Sequence, residues 1–130
     1  MAFVMHFDAR NNILRVTLQG RVTDAVMLDC YATVAKYVAS HSPCRGITDI
    51  SEVEEFDVSS NTIRQMAEAP PAFPPEYMRI LVAPEAHVYG MARMFQILGG
   101  KTRPNLHLVR TMDEAYGLLQ VESPEFGPVS

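Results

Sequence analysis

Strand-like and helix-like runs alternate along this chain, and that alternation limits the folds open to it. Phe3 to Phe7 has the period of a strand, Asp8-Ala9-Arg10-Asn11-Asn12 supplies turn residues, and Ile13 to Leu18 alternates again. Two such runs around a turn make a β-hairpin. Gly20 is expected to end the second strand. Thr23 then offers an N-cap with Asp24 in the first turn, where a negative charge suits the helix dipole. Val26, Met27, Cys30, Tyr31, Val34, Tyr37 and Val38 follow at helical spacing, and the helix should stop near Ser40, before Pro43. Gly46 to Ile50 is a short strand. Ser59 or Asp57 caps the next helix, which carries Ile63, Met66 and Ala67 and ends before Pro70.

Met78 to Val82 is mostly apolar, as in a strand covered on both faces. Pro84 breaks it, and a helix opens at Glu85 and runs through Leu98 to the Gly99-Gly100 stop. Leu106 to Val109 is the last strand. Thr111 caps a final helix, with Glu114 three residues on completing a capping box. The order β-β-α-β-α-β-α-β-α implies right-handed crossovers. The expected fold is α/β, a mixed, mostly parallel five-stranded sheet with about four helices, its first strand antiparallel. Residues 1–121 form one domain. Residues 122–130, rich in Pro and Gly, are expected to be a tail that is mobile or lies on a neighbour.

Composition narrows the function. With 130 residues, 48% hydrophobic and 20% charged, the chain can bury a proper core. A net charge of −4, with scattered Lys and Arg, gives no footing for nucleic acid. No apolar run approaches the ~20 residues of a membrane span, and the N-terminus lacks a basic region before an apolar core. The expected location is therefore the cytoplasm. Cys30 falls in an apolar helical pattern and reads as core; Cys44, beside Pro43 and Arg45, is either a loop residue or a mildly activated thiol. Four of the six residues from Pro70 to Pro75 lack a backbone donor, which makes a stiff connector that tucks one aromatic, Phe73 or Tyr77, into the core or a groove.

Parallel strands ending near Gly20, Ile50, Ala83 and Val109 would gather their loops on one edge, the usual site of an open α/β sheet. There lie Asp49-Ile50-Ser51, an acidic loop with Glu52, Glu54 and Glu55, and Asp57-Val58-Ser59-Ser60 opening a helix. Phosphate on Ser59 or Ser60 would sit on a helix N-terminus yet be repelled by its acidic neighbours, which suits a switch. Simple capping explains the same hydroxyls. The carboxylates lack the spacing and Gly of a calcium loop, so no metal is expected. His6, His41, His87 and His107 are scattered, no nucleophile–base–acid set emerges, and Gly99-Gly100 follows a helix rather than a strand, so neither catalysis nor a nucleotide cofactor is expected. On the helix opened by Glu85, apolar residues cover more than the ~100° stripe a sheet requires. The surplus near Met94 and Ile97 calls for core packing, a second copy of the chain, or an apolar ligand.

Two stretches resemble a known family. Asp49-Ile50-Ser51 with Val53, then Asp57-Val58-Ser59-Ser60, is similar to the paired triplets of STAS-domain anti-sigma-factor antagonists, with Val58 standing where those proteins place Asp directly before the phosphorylated Ser. Arg79-Ile80-Leu81-Val82-Ala83-Pro84 followed by Tyr89-Gly90-Met91-Ala92-Arg93-Met94 resembles the SpoIIAA-like (STAS/SEC14-type) group of small bacterial proteins. The resemblance implies a non-catalytic interaction or regulatory module with an unidentified protein partner, switched through phosphorylation of Ser59 or Ser60, with Asp49, Ser51, Asp57, Ser59 and Ser60 as its regulatory or interaction residues. Its alternative is binding or sensing of an apolar small molecule or lipid, with His87, Tyr89, Met91, Arg93 and Met94 as ligand or homodimer surface.

Overall fold

The turn-rich segment after Phe7 closes a hairpin whose two strands carry the rest of the sheet. The computed structural model describes residues 2–129, so the first residue of the expected domain and the last of the expected tail lie outside the described residues. Strand β1 (Phe3–Asp8) pairs antiparallel with β2 (Ile13–Thr23). Asp8 fixes the turn by accepting from the Asn11 backbone N–H at 3.1 Å and side-chain amide at 2.8 Å. Helix α1 (Asp24–Ser40) leads to β3 (Arg45–Asp57), α2 (Ser60–Glu68) to β4 (Arg79–Val82), α3 (Ala86–Leu98) to β5 (Leu106–Val109), and α4 (Met112–Leu119) to a short β6 (Gly127–Pro128). The order across the sheet is β5-β4-β3-β2-β1-β6, with β2 to β5 mutually parallel. Among the described residues no helix is long and apolar enough to cross a membrane.

The α/β class and the four helices stand as expected; the strand count is six rather than five. The additional strand comes from the tail. Gly127 and Pro128 pair antiparallel with Phe7 and His6, and the Val129 N–H donates to the Met5 carbonyl at 3.2 Å. Phe126 lies under the Arg15 guanidinium, 4.3 Å from ring centroid to carbon. The sequence of residues 122–130 hides this because the pairing is made by backbone groups and needs no strand-forming side chains.

The pleat sorts side chains onto two unequal faces. Phe3, Leu14, Val16, Leu18, Ile50 and Leu81 join α1, α2 and α3 in the larger core. Ile13, Ile47, Ile80, Val82 and Val109 pack under α4 alone, through Ala115 and Leu119. Strand β4 is therefore covered on both sides, as its apolar run implied. Phe73 is the aromatic that the Pro-rich connector tucks inward: it is buried, and its ring fills the space a side chain at Gly46 would need.

Two expectations are corrected. Gly20 and Ile50 do not end their strands. Parallel pairing of β2 with β3 continues to Thr23 and Asp57 through two register shifts, one between Thr17 and Gln19 and one between Gly20 and Arg21. Gly20 adopts φ +65°, a left-handed conformation that glycine takes without steric cost, so it bends the strand and lets it go on. The supposed acidic loop is thus one strand of a two-stranded arm. Cys44 lies in the loop before β3, as its neighbours imply, but is not an activated thiol: it is 1% exposed, and burial pushes its pKa up. Cys30 is also core, its thiol pushed up to about 12 by burial.

Candidate functional site

Beyond Asp49, β3 has lost β4 as a neighbour, because the β3–β4 register ends at Asp49–Val82. What remains is the β2–β3 arm, which runs on past the C-terminal end of β4. Its exposed face is charged: Arg21 bridges Glu55 at 3.5 Å and Asp57 at 3.0 Å, while Glu52 and Glu54 are exposed to solvent. Its other face is apolar, with Val22 fully buried and Val53 and Phe56 packed on the core. The arm ends in two helix starts tied together. Thr23 caps α1, and the Asp24 carboxylate accepts from the Ser59 backbone N–H at 2.7 Å. That hydrogen bond holds the Asp24 carboxyl below its usual range.

The sequence-selected residues divide accordingly. Ser59 is the cap of α2: its hydroxyl accepts from the Thr62 N–H at 3.2 Å and lies 3.2 Å from the Thr62 hydroxyl. Ser60, the first residue of α2, is exposed. Asp49 is buried at 7% exposure and is occupied locally, accepting from the Ser51 N–H at 3.0 Å and hydroxyl at 2.6 Å. Asp57 serves Arg21 rather than the helix. The Phe56 ring meets the edge of His87 at 6.2 Å between centroids, so the arm and the start of α3 adjoin. Tyr89 lies under the Arg110 guanidinium at 4.1 Å. Met91 and Met94 are half-buried on the core, and exposed Arg93 donates to Gln96 at 2.7 Å. The apolar surplus of α3 surfaces at Ile97 and Leu98, 65% and 46% exposed.

Under the arm, between the sheet and helices α1, α2 and α3, lies a cleft of about 450 Å³ counted out to its mouth. About 50 Å³ of it has room for the centre of a water molecule. Met27 and Tyr31 of α1, Phe56 of the arm, and Val88, Ala92 and Phe95 of α3 form much of its apolar wall. The polar contributors include Thr48 and Arg79. Arg79 donates from Nη2 to the Thr48 hydroxyl at 3.3 Å, and its Nε is shielded from solvent without a partner. Desolvation brings the Arg79 pKa down to about 10.

Arg103, buried nearby, differs in its surroundings. Its Nη1 donates to the Ala67 carbonyl at 2.9 Å and its Nη2 to the Met66 and Ala69 carbonyls at 3.1 and 3.0 Å. Those carbonyls close the last turn of α2, the negative end of the helix. Nη2 also reaches the Tyr31 hydroxyl, which itself donates to the Pro70 carbonyl. A smaller cavity under the Pro-rich connector, walled by Phe73, Tyr77 and both arginines, adds no further charged side chain. Sequence reasoning assigns no role to Arg79 or Arg103. The one available signal is a charge in the otherwise apolar run of β4, since a charge in a doubly covered strand needs a reason.

Among the described residues no cluster of His, Cys, Asp and Glu is placed to hold a metal ion. No protein-family model matches the chain, and no curated protein matches it either.

Proposed function

We propose that this chain is a non-catalytic binding module of STAS-like type that takes an apolar small molecule in the cleft beneath the β2–β3 arm. One observation carries the reading: a largely apolar cleft opens between the sheet and helices α1, α2 and α3, walled by Met27, Phe56, Val88, Ala92 and Phe95, with few polar groups among them. The hairpin followed by strand–helix alternation supports the STAS-like assignment. Titration with Nile red, a neutral apolar dye, tests the cleft. One saturable site per chain is expected, and Ala92→Phe, which fills the wall, should remove it while near-ultraviolet circular dichroism stays native. Unsaturable binding, or a site indifferent to Ala92→Phe, rejects the reading.

The exposed Ser60 and the acidic arm favour a second reading, a protein-interaction module switched by phosphorylation. Under it the modified hydroxyl is Ser60, because Ser59 is spent on its cap. Phosphopeptide mapping of protein taken from its native host should find phosphate on Ser60 and none on Ser59. A segment unmodified under every growth condition would count against it. Ile97 and Leu98 mark where a second copy would pack, and sedimentation of the wild type against Leu98→Glu reads that directly.

A further inference from the structure

We infer that the ligand of this cleft is an apolar chain ending in a single carboxylate, with the carboxylate held by Arg79 and Thr48. The inference rests on the cleft reading and adds the chemical class. Its basis is the contrast between two arginines in one layer of the molecule. The Nη nitrogens of Arg103 are committed to the Met66, Ala67 and Ala69 carbonyls and to the Tyr31 and Thr102 hydroxyls. Arg79 makes one hydrogen bond, at 3.3 Å, to Thr48. The guanidinium also lies over two aromatic rings, Phe73 at 5.2 Å and Phe95 at 6.0 Å, contacts that leave its in-plane donors open. Both ion pairs among the described residues belong to Arg21 on the surface, so no protein carboxylate answers Arg79 there.

Arg79 is half-buried and its shielded Nε has no partner, and a partly desolvated cation gains from an anion that completes its donors. The guanidinium fork suits a planar carboxylate. The Thr48 hydroxyl, which accepts from Arg79, retains its own proton for the same ligand. A single carboxylate fits better than phosphate, because both Nη nitrogens of Arg103 are already engaged, which leaves Arg79 alone to meet the ligand's charge. The rest of the ligand is set by the wall. Arg79 starts β4, whereas Phe56 ends the arm and Val88 opens α3, so the cleft runs along the strands from a charged end to an apolar one.

Calorimetric titration with octanoate, octan-1-ol and octyl phosphate tests this on the wild type, Arg79→Met and Thr48→Val. Octanoate should bind the wild type about 10- to 100-fold more tightly than octan-1-ol, the usual worth of hydrogen bonds to a charged group. Arg79→Met should erase that preference and leave octan-1-ol unchanged. If Arg79→Met does not fold, Thr48→Val serves, with octanoate weakened several-fold and octan-1-ol unaffected. Equal affinity of octanoate and octan-1-ol, unmoved by either substitution, overturns the carboxylate assignment and spares the cleft. Octyl phosphate binding more tightly than octanoate overturns it in favour of phosphate. Absence of saturable binding by all three overturns the cleft reading itself.

Discussion

Side chains of one type do different work here according to what surrounds them. Arg103 satisfies the end of α2 from outside the helix, so Arg103→Met should leave several buried carbonyls unanswered. We expect a loss of about 3 kcal/mol in urea unfolding, within the range for breaking buried charged hydrogen bonds. The two serines at the start of α2 should separate as clearly. Ser59→Ala should cost about 1 kcal/mol, the usual worth of an N-cap, and Ser60→Ala less than about 0.5 kcal/mol, measured in the same way. Asp24 gives a pH signature. Its folded pKa lies below its unfolded one because the Ser59 N–H favours the charged carboxylate. That stabilisation is present above the unfolded pKa and fades as pH falls through the folded value. Asp24→Asn should therefore flatten the acid limb of a stability–pH curve, while a limb as steep as the wild type's would contradict the assigned bond.

Among the elements, the β2–β3 arm is sensitive to a single substitution at Gly20. Nothing lies within 4 Å of where a Cβ would stand, so space is not the issue; its φ of +65° is. Gly20→Ala should destabilise by about 1 kcal/mol or more, read from the denaturation midpoint, as the β2–β3 register loses the bend that carries it into the arm. The same glycine shows how far a sequence speaks. Helices α1 and α4 were legible because Thr23 and Thr111 sit where their hydroxyls meet free N–H groups. Strand β4 was legible from its mostly apolar run. The arm was not: a glycine between polar residues signals a stop equally well as a bulge, and only the pairing partner decides between them. The cleft was less legible still. Thr48, Phe56, Arg79 and Val88 are spread over three elements and the arm, and no local pattern joins them.

For the molecule as a whole, the two sheet edges differ. β5 ends one side, and on the other the short β6 covers part of β1. Removing residues 122–130 would free the backbone groups of β1 and uncover Arg15. The shortened chain should keep its core, since the buried members of both clusters lie outside that segment. It should nevertheless associate with rising concentration in sedimentation velocity, as unpaired edges do. A shortened chain that stays monomeric at every concentration would show that β6 is ornamental. The hold of Arg103 on α2 carries a further consequence, in time rather than energy. It joins Tyr31, residues 66–69 and position 103 across long stretches of chain. We expect these contacts, distant along the backbone, to close after the folding barrier, so that their loss acts on unfolding more than on refolding. Weakening that hold should accordingly leave the refolding rate almost untouched and show itself as faster escape from the native state, so that protease resistance in conditions where cleavage outpaces reclosure fails well before refolding slows.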